Sequence, residues 1–401
     1  MDKIFLLKNT VQPYAWGSFT AIPDLLGEPH PSDLPQAELW MGAHPKAPSM
    51  VEYGNNWEPL DKLIKKYPEK ILGKSAAARF DNKLPYLFKV LAAAQPLSLQ
   101  AHPSLDQAKQ GFRRENAKGI PLDAPHRNYK DDNHKPECIC ALTPFWALNG
   151  FRKIPEVLSF FELLSPSSLQ SPLKRLRAHQ NPEGLKHFFR GLMTLAPVLQ
   201  KQITDECLAK IDRNLQEKSI YSWMVTLSAA YPANIGILSP IILNLICLQP
   251  GEAMFLPAGE MHAYLEGTGI ELMANSDNVL RGGLSPKHID LEELLNVLNF
   301  DQREIEIFRP QQQSNGEKVY PSLADEFVLS VLTLAKGITY ESAINRSIEL
   351  MICTGGKAVI RDITREEIIS VGRGTSLVIP AAVKKYFIEG SATLYKAAVP
   401  V

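Results

Sequence analysis

Pro96-Leu97-Ser98-Leu99-Gln100-Ala101-His102-Pro103 alternates apolar with polar side chains, Leu97, Leu99 and Ala101 on one parity and Ser98, Gln100 and His102 on the other. That period of two predicts a strand with one apolar and one polar face. Gln100 and His102 therefore point the same way. A carboxamide oxygen beside an imidazole nitrogen makes half of a metal site, to be completed by a carboxylate and another histidine.

Asn133-His134-Lys135-Pro136-Glu137-Cys138-Ile139-Cys140 supplies the carboxylate. By the same alternation Lys135 and Glu137 share a face, while Cys138 and Cys140 face the opposite way. Their lone C-x-C spacing, without a second pair, predicts a buried structural role. Pro250-Gly251-Glu252 and Pro257-Ala258-Gly259 are turns bracketing Ala253 to Leu256, and His262 follows. This segment resembles the second conserved motif of cupins, whose histidine binds a metal inside a β-barrel. Gln100, His102, Glu137 and His262 together predict a site for one Zn2+ per chain, or another divalent first-row ion. A neutral glutamine leaves the zinc more positive than a second carboxylate would, which suits Lewis-acid work on a sugar oxygen.

The chain has 401 residues, of which 45% are hydrophobic, enough for two or three packed domains. Lys+Arg and Asp+Glu both number 43. This balance predicts no general attraction to nucleic acid or to an anionic membrane. The apolar run at the N-terminus is too short for a signal segment and no later stretch approaches a membrane span, so a cytoplasmic location is expected. Five scattered cysteines suggest no disulfide framework.

Short apolar runs rich in turn residues give way at Ile154 to helical spacing. Ile154, Val157, Leu158 and Phe161, and again Leu185, Phe188, Phe189 and Leu192, fall at i, i+3, i+4 and i+7. A catalytic jelly roll is therefore expected over 1–152 and 233–320, interrupted by an α-helical insert at 153–232 and followed by a cupin-like β domain at 321–401. The fold class is mainly β with a helical insert: two cupin-type jelly rolls, the C-terminal one degenerate, and an α-helical domain. A repeat supports the pairing of barrels. Gly251, Pro257, Gly259 and His262 recur in offset as Gly374, Pro380, Ala382 and Lys385, so the second copy has lysine in place of the metal-binding histidine.

SLQAHP, NHKPE, PAGEMHAYLEG and ELMANSDNVLRGGLSPK, in that order over residues 98 to 287, resemble the signatures of type I mannose-6-phosphate isomerases. Tyr14-Ala15-Trp16-Gly17 and Glu38-Leu39-Trp40-Met41-Gly42-Ala43-His44-Pro45 match that family too. The resemblance implies zinc on Gln100, His102, Glu137 and His262, an essential Arg281, and a sugar-phosphate substrate. A monomer is expected.

Aldose–ketose interconversion needs a base, an oxyanion stabiliser and a phosphate anchor. Arg281, beside Gly282-Gly283, is a candidate for stabilising an enediolate or clamping phosphate, with Lys287 as a second cation. Lys135 is the first candidate base, because a nearby dication lowers an amine's pKa. Glu271 and His134 compete with it, and a hydride shift would need no base. Trp16 offers a face to a sugar ring and Ser98 a hydrogen bond. Ser104 to Gln107 reads as a capping box opening a helix. Two other readings remain: a cupin iron dioxygenase on two histidines and a carboxylate, and a non-catalytic sugar-binding cupin with a structural metal.

Overall fold

A computed structural model describes residues 1–54, 56–216, 219–363 and 365–401. Among them the strands form two antiparallel assemblies, one of ten strands and one of eleven. The first holds Glu38–Gly42, Tyr86–Ala93, Leu99–Ala101, Glu137–Ala141, Phe145–Phe151, Ala253–Leu256, His262–Ala274 and Leu280–Gly283. The second is built mostly from the chain after residue 310, but it also draws in Phe5–Lys8, which pairs with Ser376–Ile379. Where a period of two is legible the strands follow it. The opening stretch is shorter than expected, Leu99–Ala101, because prolines at 96 and 103 lack the N–H a ladder needs.

Helices fill the interval from Ile154 to Ile242. Ile154–Leu164 buries Ile154, Val157, Leu158, Phe161 and Leu164, and Pro182–Met193 buries Leu185, Phe188, Phe189 and Leu192. These stripes join one apolar core with Leu99, Ala101, Ala263 and Leu280, the reverse side of the strands that carry the polar site. Each fully buried leucine or phenylalanine contributes roughly 1.5–3 kcal/mol. The helical region is thus a backing for the metal-site strands. Ser104 and Gln107 form the expected reciprocal cap on Leu105–Ala117. Among the described residues no helix is long and apolar enough to cross a membrane.

The repeated turn pattern occupies matching places. Leu256, just before Pro257, pairs with Glu137; Ile379, just before Pro380, pairs with Glu349. Glu271 lies opposite Ile139, and Lys396 lies opposite Met351, two residues beyond Glu137 and Glu349 respectively. Gly251 and Gly374 have φ of 86° and 83°, the left-handed region that favours glycine in both turns. Cys138 and Cys140 are buried and free, and Cys140 donates to the Tyr320 hydroxyl at 3.1 Å. Burial pushes the Cys140 thiol up to about 11, in keeping with a structural role.

Candidate active site

Directly paired residues on neighbouring strands project from one face. His262 pairs with Gln100, and Gln100 with Arg281. On the other side His262 pairs with Asn149. A row of four polar side chains, Asn149, His262, Gln100 and Arg281, thereby crosses the sheet. His102 and Glu137 complete a buried set in which the ligand atoms of His102, Glu137 and His262 lie within 4.8 Å of one another.

The two imidazoles are held as metal ligands usually are. His102 Nδ1–H donates to the Asn278 carbonyl at 2.7 Å, and His262 Nδ1–H to the Glu260 carbonyl at 2.9 Å. These bonds fix the tautomer, leaving each Nε2 lone pair toward Glu137, at 3.2 and 3.6 Å from its oxygens. Neither buried Nε2 has a well-formed hydrogen-bond partner. Orphaned acceptors facing a carboxylate fit a divalent cation. Burial, aided by the neighbouring His102, pushes His262 down to about 4, and burial also lowers His102, so both stay neutral donors at physiological pH. Burial alone would raise Glu137; the Lys135 ammonium beside it outweighs this and holds its carboxyl well below the usual range.

Lys135 Nζ sits 2.7 Å from Glu137 Oε1, as their shared face predicts. The Tyr264 hydroxyl donates to Glu137 Oε2 at 3.3 Å. Glu271 is joined to the site through a residue not anticipated from sequence, Lys89, whose Nζ lies 2.8 Å from Glu271 and 3.4 Å from Glu38. Burial would lower Lys89, but the two carboxylates outweigh it and keep the ammonium charged. Trp40 lies opposite Lys89, donates to Glu38 at 2.5 Å and presents its ring to the ammonium at 5.6 Å. In the sequence Glu271 stands out as a candidate base and the Glu38-to-Pro45 match covers Glu38 and Trp40, but nothing there marks Lys89. Lys89 itself sits in the apolar run Tyr86–Ala93, where a buried lysine breaks the pattern.

Arg281 and Lys287 make no side-chain hydrogen bond or ion pair among the described residues; Arg281 is partly buried and Lys287 exposed. Burial lowers Arg281, and burial together with repulsion from Arg281 lowers Lys287. Two neighbouring cations without a counter-anion among the described residues suit an anionic ligand. The Asn278 carboxamide positions the segment before them, accepting from the Lys130 and Asp131 amides and donating to the Asp131 and Asn133 carbonyls. The other expected contacts are less direct. His134 Nε2 is engaged by Glu326 at 2.7 Å. Trp16 packs against the Leu91 and Ala93 core and stacks on Tyr14 at 5.8 Å, and burial, with the Glu38 carboxylate, raises the Tyr14 hydroxyl above its usual value. Ser98 precedes the Leu99–Ala101 strand and makes no hydrogen bond among the described residues.

Residues 4–154 match the model of the phosphomannose isomerase type I catalytic domain. The chain is 42% identical to mannose-6-phosphate isomerase of Salmonella typhimurium over 361 residues, covering 88% of this chain and 90% of that one. It is 32% identical to the Homo sapiens mannose-6-phosphate isomerase over 410 residues, covering 94% of each. A crystal structure of zinc-bound mannose 6-phosphate isomerase superposes with a TM-score of 0.91 at 37% identity, over 99% of this chain and 100% of that one. These relatives do not favour the dioxygenase or the non-catalytic sugar-binding reading.

Proposed function

The chain belongs to the type I phosphomannose isomerase family and is an isomerase; from that premise we propose that it interconverts mannose 6-phosphate and fructose 6-phosphate by proton transfer between C2 and C1, acting as a monomer with one zinc ion held by Gln100, His102, Glu137 and His262. The observation that carries the metal assignment is the pair of buried imidazoles whose Nδ1–H groups are tied to backbone carbonyls while their free Nε2 atoms face Glu137. When bound, zinc supplies Lewis-acid polarisation of the sugar's carbonyl and stabilises enediolate charge.

The remaining work falls to side chains. Arg281 and Lys287 bind the phosphate, which fixes the hexose chain relative to the buried cluster. Lys135 carries the proton at Nζ, taking it from C2 and returning it to C1, and exchanges it with solvent between the two transfers. Glu271, held by Lys89, accepts a hydrogen bond from a sugar hydroxyl. His134, tied to Glu326, steadies the loop entering Lys135. Tyr14 and Trp16 form a wall for the sugar, and Ser98 offers a hydroxyl beside the ligand strand.

Conversion of mannose 6-phosphate, followed before and after chelation with metal content measured in parallel, tests the reading. Activity should fall with zinc content and return on zinc addition. A zinc-replete sample without conversion would exclude the isomerase assignment, and full activity after complete metal removal would exclude the metal's part in it. Solvent deuterium should enter the product at C1; complete retention of the substrate's C2 label would replace proton transfer by a hydride shift.

A further inference from the structure

Counting back from Glu137 and from its register counterpart Glu349, the segment 132–135 beside the metal site corresponds to 344–347 in the second barrel. The shared asparagines, Asn133 and Asn345, fall in register, and Arg346 stands where His134 stands. The turn Ala258-Gly259 corresponds to Ala381-Ala382. In the second barrel these counterparts line a cavity of about 550 Å3, which Lys70, Lys74 and Ser75 complete from the neighbouring short helices. A volume of that order suits a small molecule.

The lining is cationic. Lys70, Lys74 and Arg346 outnumber two carboxylates, that of Glu69 and the terminal one of Val401, with the Ser75 and Ser347 hydroxyls beside them. Arg346 is not a loose surface charge: its side chain is 4% exposed, with Nη1 on Glu349 at 3.2 Å, Nη2 on the Pro380 carbonyl at 3.3 Å and the guanidinium over the Tyr386 ring at 5.3 Å. Its Nε is buried without a hydrogen-bond partner. Such a fixed guanidinium with an unused donor is costly unless something accepts from that edge. The place cannot repeat the metal chemistry, because the counterpart of His262 is Lys385, ion-paired to Glu341, and Glu349 is gripped by Lys396.

We propose that this cavity is a second, non-catalytic site that binds a small phosphate-bearing anion through Arg346, Lys70 and Lys74. Equilibrium dialysis of the zinc-replete enzyme tests it, with labelled inorganic phosphate, mannose 6-phosphate and a nucleoside diphosphate in separate arms. At least one arm should show a site additional to the catalytic one, and the arm that binds identifies the source of the phosphate. Joint replacement of the two exposed lysines, Lys70→Glu with Lys74→Glu, should weaken that site at least tenfold while leaving isomerase kcat and KM unchanged. The absence of an additional site in every arm, or an additional site indifferent to the charge reversal, would overturn the proposal. Crystals soaked with the binding anion should place its phosphate against Arg346; density confined to the catalytic barrel would equally overturn it. Isomerase activity is read separately, so failure here leaves the catalytic assignment standing.

Discussion

The two barrels solve the same problem, burying carboxylates in a polar interior, with a lysine in different places. In the catalytic barrel Lys89 lies opposite Glu271 and holds Glu271 and Glu38, while Glu137 faces the two imidazoles. In the second barrel Ser330 takes the place opposite Lys396, and Lys396 itself occupies the position of Glu271. Its Nζ lies 2.7 Å from Glu317 and 3.1 Å from Glu349. Glu349 is the register counterpart of Glu137, and each meets an ammonium, Lys396 at 3.1 Å and Lys135 at 2.7 Å, but only Glu137 also faces two imidazoles with free Nε2 atoms. With Lys385 at the place of His262, the second barrel lacks the imidazole pair that fits the first for an external ion. Buried charges of either kind are only roughly balanced by their partners, so both arrangements depend on the full set being present.

The strongest challenge to that contrast is to import the second barrel's residue into the first. His262→Lys should eliminate zinc binding and lower isomerase kcat/KM by at least about a thousandfold, the scale of losing a Lewis acid with its oriented ligands. Metal analysis and the coupled sugar-phosphate assay read both effects. Normal zinc content in the folded variant would show that the histidine-to-lysine difference is not what separates the barrels.

Next in size is the reverse test. Lys396→Met leaves Glu317 and Glu349 buried without their ammonium, although Arg346 still touches Glu349. A loss of about 3–5 kcal/mol in unfolding free energy is expected, with kcat unchanged in the fraction that remains folded. Lys89→Met should destabilise comparably and also reduce turnover, because its carboxylates border the reaction site. Equal catalytic losses in the two variants would mean that the second barrel's cluster acts on the first.

Much of this could be read in the sequence, and the reasons differ by residue. Gln100, His102 and Glu137 were legible because short strands keep the period of two, and the His262 turn because Gly251, Pro257 and Gly259 impose backbone constraints. The helices at Ile154 and Pro182 were legible because a 3.6-residue stripe faces a core. Glu271 could not be phased against His262. Nine residues apart on one strand, they should face opposite ways, but a register shift between Tyr264 and Glu266 rephases the strand. Lys89 was hidden because an isolated lysine in an apolar run gives no periodic signal; only its two partners from distant segments explain its burial. Nor did the sequence reveal that Phe5–Lys8 joins the C-terminal sheet, since strand pairing at that separation leaves no local trace.

A smaller effect sharpens the phosphate side. Arg281→Ala should raise KM for mannose 6-phosphate roughly 10- to 100-fold, the equivalent of about 1.5–3 kcal/mol for charge-assisted hydrogen bonds, while zinc content stays at the wild-type level. Lys287→Ala should act in the same direction and less strongly. A variant that loses zinc along with affinity would make Arg281 a support of Gln100, its neighbour in the ladder, and not a phosphate ligand.

The smallest expected effect is on acid stability after chelation, and it separates the barrels by charge type. His44, His102 and His262, all in the first barrel, are lowered chiefly by burial, His262 to about 4. A histidine lowered in the folded state contributes stability that is complete above its unfolded value of about 6.5. That stability is lost as pH falls from there toward the folded value, because the unfolded chain then binds protons the folded one refuses. In the second barrel the Lys396 carboxylate partners raise its pKa despite burial, so it stays charged across the same interval and contributes no slope. Urea midpoints of the chelated protein should therefore drop between pH 7 and pH 5, and amide exchange should localise the loosening to strands around His102 and His262. Loosening that began around Lys396 would remove the distinction between a barrel that awaits a cation and one that carries its own.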